Sequence, residues 1–263
     1  MKISLKNKKE IELMRIAGQI TANVLEMITH YVKPLTSTHE INQLCHNYII
    51  DKKKAIPACL GYHKFPKSIC ISINDVVCHG IPNQNTFLME GDIVNIDVAV
   101  IKNGYYSDAS KMFFVGKVNQ KKKQLCDIAK KSLYISLQNI KPGIPISIIG
   151  KSIQNYVQKS RFSIVKEYCG HGIGKNFHEL PQVLHYENSD HDTILKPGMT
   201  FTIEPMINEK SSDVYCCSDE WTVKTKDKGW SAQYEHTILV TDTGCEIFTL
   251  QKDESIPKIF INS

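Results

Sequence analysis

The chain has 263 residues, 42% hydrophobic and 22% charged, a composition that suits one large globular domain or two small ones. No run approaches the ~20 apolar residues of a membrane span, and the opening MKISLKNKKE lacks the apolar centre of a secretory signal, so a cytoplasmic protein with no membrane contact is expected. A formal charge of +5 is too small and too dispersed for a DNA-binding groove, and nine scattered cysteines with no CxxC pair read as reduced thiols. The lysine clusters Lys52 to Lys54 and Lys121 to Lys123 read as solvated faces.

In chain order, residues 8–32 carry Ile11, Ile16, Ile20, Val24, Met27 and Ile28 at helical spacing, and the helix has to stop before Pro34. A second helix follows, with Ser37 and Glu40 as a capping box and Ile41, Leu44, Cys45, Tyr48 and Ile49 as its buried stripe. Strand patterns cover 68–77 and 92–115. Helices are expected at 121–140, ahead of Pro142, and at 148–159. Further strands are expected near 162–168, 199–203 and 234–240.

The stretch 93–111, IVNIDVAVIKNGYYSDASK, is the most informative. Asn103-Gly104 is the dipeptide favoured in two-residue type I′ hairpin loops. That loop sets Lys102 opposite Tyr105, Ala99 opposite Asp108 and Asp97 opposite Ser110, so Asp97 and Asp108 become diagonal neighbours on one face, roughly 7–8 Å apart at the backbone. Asp97 interrupts an apolar run, which implies a strand buried on both faces. Two buried carboxylates so close cannot both stay charged and unpaired, and a bound cation resolves the conflict.

The chain also repeats itself. Val32-Lys33-Pro34 returns as Ile140-Lys141-Pro142, Asn47-Tyr48-Ile49 as Asn155-Tyr156-Val157, and His79-Gly80-Ile81 as His171-Gly172-Ile173. Leu88, Gly91, Ile96 and Asp97 return at identical spacing as Leu195, Gly198, Ile203 and Glu204, while Asp108-Ala109-Ser110 is echoed by Glu235-His236-Thr237. One catalytic domain, 1–263, with related α/β halves at about 10–118 and 119–250 is therefore expected. Packed about a pseudo-twofold axis, the halves bring Asp97, Asp108, Glu204 and Glu235 together with His79 and His171. Four carboxylates with an imidazole call for about two divalent ions of hard or borderline character, such as Mn, Fe(II) or Co(II).

Other motifs fail on their spacing. His178-Glu179 begins like HExxH, but position 182 is Gln; Gly170, Gly172 and Gly174 lack the strand and frame of a dinucleotide-binding turn; Cys169 beside His171 is a sequence neighbour rather than a nucleophile–base pair.

Seven segments carry a family resemblance: ACLGYHKFPKSICISIN at 58–74, VCHGIP at 77–82, IVNIDV at 93–98, SDASKMF at 107–113, CGHGIG at 169–174 with Phe177-His178-Glu179, MTFTIEPM at 199–206 and SAQYEHT at 231–237. Over essentially its full length the chain resembles the bacterial type I methionine aminopeptidases. The resemblance implies the pita-bread fold, an α/β (α+β) architecture of two pseudo-twofold-related halves with antiparallel sheets around a dinuclear metal site. It places metal ligands at Asp97, Asp108, His171, Glu204 and Glu235. Asp97 would hold one ion, His171 and Glu204 the other, and Asp108 and Glu235 would bridge them. The implied cofactors are two divalent ions (Co, Mn, Fe(II), Zn or Ni), with water activated between them as nucleophile. The implied catalytic residues are Glu204 as proton shuttle, His178 at the scissile carbonyl and His79 at the scissile amide.

The resemblance further places Cys59, Tyr62, Phe65, Cys70, Phe177 and Trp221 around the methionine side chain, with Phe65 where some relatives have Tyr. It places a monovalent cation at Asn74, Val76 and Ser231, with Asp75 where relatives carry Glu. The implied activity is removal of the initiator methionine from nascent polypeptide N-termini when the second residue is small and uncharged, by a monomer. The ribosome near its exit tunnel is an implied partner, and Lys210, Lys224, Lys226 and Lys228 form a basic region that could touch it. Two competing readings are a prolidase or aminopeptidase P, which shares the fold and ligands on a longer chain, and a non-catalytic peptide- or ribosome-binding module.

Overall fold

A computed structural model describes residues 3–188, 193–252 and 254; residues 1, 2, 189–192, 253 and 255–263 of the expected 1–263 domain lie outside the described residues. Helix α1 (Lys8–Ile28) opens on a full capping box, in which Asn7 Oδ1 accepts from Glu10 N–H and Glu10 Oε2 accepts from Asn7 N–H. At α2 (Thr38–Asn47), where a box is expected, Ser37 Oγ accepts from Glu40 N–H at 3.1 Å, and the described bonds include no return from Glu40. The buried face of α1 runs through Met14, Ala17, Ile20, Val24, Leu25 and Ile28. Ile16, expected on that stripe, is 44% exposed, because the stripe follows the side that meets the sheet and Ile16 falls off it.

Short strands β1 (Ile56–Pro57), β2 (Cys70–Ile73) and β3 (Val76–Cys78) precede the long hairpin of β4 (Ile93–Lys102) and β5 (Tyr105–Phe114). The expected 68–77 strand is broken at Asn74, which sits in the left-handed region at φ 52°. β1 and β2 lie end to end along one edge of β4 and β5 lies along the other, all antiparallel. Asn103 and Gly104 have φ 53° and 80°, the positive pair a type I′ loop requires. The register is as expected: Lys102↔Tyr105, Ala99↔Asp108 and Asp97↔Ser110. Helices α1 and α2 cover this sheet through Ile20, Val24, Leu25, Ile41 and Cys45, with Ile49 from the helical turn Tyr48–Lys52 that follows α2, against Val94, Ile96, Val98 and Val100.

The second half begins with α3 (Gln120–Gln138) and α4 (Ser147–Val157). The expected 162–168 strand shortens to β6 (Ser163–Ile164). β7 (Gly170–Gly172), β8 (Glu179–Val183), β9 (Thr200–Ile203), β10 (Met206–Asn208), β11 (Val214–Cys216), β12 (Val223–Thr225), β13 (Ser231–Gln233), β14 (His236–Val240) and β15 (Cys245–Ile247) follow. They form antiparallel sheets in the orders β15-β14-β9-β7-β8, β13-β10-β6 and β11-β12-β3, the last drawing one strand from the first half. Tyr134, Leu133, Leu125 and Ile149 pack against Phe201, Ile203 and Ile238 in the larger core of this half.

Two of the repeated positions make matching main-chain bonds in both halves. Leu35 N–H donates to Leu88 O and Leu88 N–H to Thr36 O; Gly143 N–H donates to Leu195 O and Leu195 N–H to Ile144 O. Gly91 and Gly198 adopt φ 89° and 88°, and their N–H groups meet Val115 O and Val240 O at the ends of equivalent strands. The result is an α/β fold of two pseudo-twofold-related halves with antiparallel sheets.

One charge cluster departs from expectation. Lys121 and Lys123 are exposed, but Lys122 is 7% exposed, with Nζ donating to Asn74 Oδ1 at 2.8 Å and Gly91 O at 2.7 Å and lying 5.0 Å from the Trp230 ring. It ties α3 to the first half. All nine cysteines are free, and among the described residues no helix is long and apolar enough to cross a membrane.

Candidate metal centre and its cavity

Asp97 and Asp108 come from the long hairpin and face the same side of it, at diagonal positions of the β4–β5 register. Burial pushes the Asp97 carboxyl up to about 6, and burial together with the Asp97 charge holds Asp108 well above the usual carboxylate range. Asp108 is fixed from the other half: its N–H donates to Thr237 Oγ1 at 3.0 Å, and that hydroxyl donates to Asp108 O at 2.7 Å.

Glu204 and Glu235 occupy equivalent places in the chain trace. Each lies where the chain leaves one sheet for another, Glu204 between β9 and β10 and Glu235 between β13 and β14. Glu235 N–H donates to Ser110 O at 3.0 Å, whereas Glu204 N–H donates to His185 Nε2 at 3.1 Å. The Glu204 carboxylate accepts from Thr202 Oγ1 at 2.8 Å and Gln233 Nε2 at 3.3 Å. Burial raises Glu204 to about 8, and Glu235, 2% exposed and beside Asp108, stands well above its ordinary value.

His171 is set on β7 between two glycines that let neighbouring strands close in. A Cβ on Gly170 would meet Thr202 O at 2.3 Å and one on Gly172 would meet Leu180 O at 2.2 Å. Its Nδ1 donates to Gly172 O at 3.0 Å, which leaves the Nε2 lone pair facing Asp108 Oδ2 at 3.9 Å and Glu204 Oε1 at 3.8 Å. Burial, with His178 nearby, lowers the ring to about 3, so it stays neutral and able to ligate.

Ligand atoms of Asp108, His171 and Glu235 all lie within 4.8 Å of one another. Asp97 Oδ1, Asp108 Oδ1 and Glu235 Oε1 are buried with no hydrogen-bond partner. Four clustered carboxylates, three of them with an orphaned oxygen, and a neutral imidazole suit divalent metal ions, which supply the missing countercharge.

The centre forms the floor of a cavity of about 280 Å³. Every residue expected at the divalent site or around the methionine side chain lines it: Asp97, Asp108, His171, Glu204 and Glu235 below, and Cys59, Tyr62, Phe65, Cys70, Phe177 and Trp221 with His79 and His178 around the walls. Phe65 and Trp221 meet edge to face at 5.1 Å, and Tyr62 meets Phe177 at 4.9 Å. His79 adopts φ 56°, and Gly80 follows it because a Cβ there would lie 2.0 Å from Ile71 O. Burial, then His178, lowers the His79 ring to about 4. Tyr62 OH lies 2.7 Å from His178 Nδ1 with the rings stacked.

Sequence reasoning missed several lining and supporting residues: Cys78, Tyr168, Cys169, Met206 and Gln233 line the cavity, and Thr202 and His185 brace the floor. Strand alternation was the available signal for some of these, since Thr202 and Met206 stand two residues either side of Glu204 and Gln233 two before Glu235. Asn74, Val76 and Ser231 lie outside the cavity. Ser231 N–H donates to Asn74 O at 2.8 Å, and Ser231 Oγ and its cross-strand neighbour Asn208 Oδ1 are buried without partners. In the basic region, Lys224 pairs with Asp75 at 3.3 Å.

The profile of Metallopeptidase family M24 matches residues 12–242. The methionine aminopeptidase of Buchnera aphidicola subsp. Acyrthosiphon pisum is 61% identical over 262 residues, covering 100% of this chain and 99% of the relative. The crystal structure of methionine aminopeptidase from Rickettsia prowazekii, 48% identical, superposes with a TM-score of 0.92 over 95% of this chain and 100% of that one. Prolidase from Pyrococcus furiosus, 22% identical, shares the fold, with a TM-score of 0.74 over 94% of this chain and 66% of its own. Profile and full-length relatives agree, and the chain belongs to metallopeptidase family M24, in its bacterial type I methionine aminopeptidase branch.

Proposed function

We propose that this protein removes the N-terminal methionine from polypeptides whose second residue is small and uncharged. The observation that carries the reading is a buried acid–imidazole centre opening directly onto an aromatic and thiol-lined pocket in one cavity. Aromatic rings and polarisable sulfur suit a thioether side chain.

We assign Asp97 to one divalent ion, His171 and Glu204 to a second, and Asp108 and Glu235 to both, with Mn(II), Fe(II), Co(II), Zn(II) and Ni(II) all compatible with this donor set. Two such ions would supply countercharge to the acids and acidify water for attack near neutral pH. Glu204 takes the proton from the attacking water and passes it to the departing nitrogen as the C–N bond breaks. His178 donates to the scissile carbonyl as negative charge develops there, and His79 orients the scissile amide. Met206, Tyr168 and His79 crowd the same cavity, so a bulky second residue is excluded sterically and in a graded way.

A monovalent cation at Asn74, Val76 and Ser231 is supported by the orphaned Ser231 Oγ and Asn208 Oδ1. We further assign the chain to one domain of two repeated halves, acting as a cytoplasmic monomer on nascent chains, with Lys210, Lys224, Lys226 and Lys228 as its contact to ribosomal RNA.

The test is release of free methionine from Met-Ala-Ser by chelator-stripped protein, with and without Mn(II), Fe(II) or Co(II), beside Glu204→Gln and an Ala-Pro-Ala control. Metal-dependent release that disappears in Glu204→Gln is expected. Cleavage of the proline peptide instead, or no turnover with any metal, overturns the reading.

A further inference from the structure

The change of sheet after β9 strands one main-chain donor. Ile203 ends β9, Met206 opens β10 and Pro205 has no N–H, which leaves the Glu204 N–H at the crossing. At the equivalent crossing, Glu235 N–H finds a main-chain carbonyl, Ser110 O. Glu204 N–H finds a side chain. His185, two residues beyond β8 and 1% exposed, presents Nε2 to it at 3.1 Å. The other ring nitrogen, Nδ1, is buried without a partner. A neutral imidazole accepts at one nitrogen and carries its proton on the other, so this bond selects the Nδ1–H form. The ring therefore leaves one donor unsatisfied in order to offer a lone pair to a single amide, a choice that filling space does not explain.

We propose that His185 is a positioning residue for the hydrolysis assigned above. By accepting from Glu204 N–H it fixes the main chain at the sheet crossing and completes a three-point hold whose other members, Thr202 Oγ1 and Gln233 Nε2, grip the carboxylate. Backbone and carboxylate are then both fixed, and the proton shuttle is aimed at the reacting bond. The consequence for rate rests on the aminopeptidase reading; the hydrogen bond does not.

Two measurements test it. In the ¹⁵N-labelled wild-type chain, the ring nitrogen shifts should show Nδ1 protonated and Nε2 bare, with a scalar coupling from Nε2 across the bond to the Glu204 amide. A protonated Nε2 overturns the proposal. In steady-state hydrolysis of Met-Ala-Ser, His185→Leu should lower kcat roughly 10–100-fold with little change in KM, the range seen when a group supporting a metal ligand is lost. Mn(II) affinity by calorimetry should weaken in parallel. His185→Gln, whose amide oxygen can accept the same bond, should keep kcat within about fivefold of wild type. Equal losses in both variants, or an undiminished kcat in His185→Leu, overturn the proposal. Should His185→Leu fail to fold, the ring spectrum and the kcat of His185→Gln decide the matter. A wild-type chain that releases no methionine with any metal defeats the aminopeptidase reading, and the spectrum still judges the hydrogen bond.

Discussion

Replacing Tyr62 by Phe removes one oxygen from the cavity wall and leaves the ring. That oxygen lies 2.7 Å from His178 Nδ1. Burial, then Tyr106, raises the Tyr62 phenol, so it keeps its proton and donates. The proton of a neutral His178 is thereby confined to Nε2, where it can meet the substrate carbonyl. The His178 ring is itself shifted toward the neutral form, by burial and then by His63. Without the phenol the imidazole populates both tautomers and one bond is lost. A bond of this kind contributes ~1 kcal/mol net, which corresponds to about a fivefold fall in kcat. KM should barely move, because the aromatic packing with Phe177 and His178 remains. His178→Ala removes the donor outright and should cost roughly 10²–10³ in kcat. The assay is methionine release from Met-Ala-Ser with saturating Mn(II) for wild type, Tyr62→Phe, His178→Ala and the double variant. In the double variant the phenol should no longer matter. An unchanged kcat in Tyr62→Phe, or a full fivefold effect persisting on the His178→Ala background, would refute this account of His178.

Lys122→Ala should destabilise the protein by about 2–3 kcal/mol in urea unfolding, because it deletes two charge-assisted bonds and a cation–ring attraction from a buried place. Lys123→Ala, on the exposed side, should stay within ~0.5 kcal/mol of wild type, and equal effects would contradict the tether. Gly80→Ala drives a Cβ to 2.0 Å from Ile71 O, so His79 has to shift, and methionine release should collapse while metal content holds. Metal removal should change the pH dependence of stability. Burial raises Glu204 to about 8, with Asp108 and Glu235 higher than their ordinary range, so the metal-free folded state binds more protons than the unfolded chain above neutrality. Its stability therefore falls as pH rises from 7 through about 8, more steeply than with Mn(II) bound. The buried histidines oppose this trend only below their unfolded value of about 6.5. Thermal melts with chelator and with Mn(II) check it, and parallel curves would contradict the burial argument.

The hairpin was legible to the residue, because a two-residue Asn-Gly loop leaves a single register and a period of two then decides which acids share a face. The repeat was legible through Leu88 and Leu195 and through Gly91 and Gly198, positions that a buried strap and a left-handed turn impose in both halves. What escaped were properties set by distant chain. Lys121, Lys122 and Lys123 are identical in sequence, and only the arrival of Asn74 and Gly91 distinguishes the middle one. Nothing near His185 announces that a main-chain amide nineteen positions onward will need an acceptor. The 162–168 strand shortens to Ser163–Ile164 because only these two residues pair in register with β10; Val165 N–H adds a last bond to Met206 O, and Tyr168 and Cys169 beyond it line the cavity.

Glu204 and Glu235 each share their crossing with one other residue, Pro205 and Tyr234, so each passage between sheets is two residues long. Strand faces alternate with every residue, so inserting or deleting one residue at either passage would turn the next strand inside out: Met206 and Asn208, or His236 and Ile238, would exchange sides with their neighbours. The spacing at these passages is therefore as constrained as the ligands themselves. In this fold the metal site is guarded by arithmetic as much as by chemistry, and a single-residue change in length at either passage should be as damaging as the loss of a ligand.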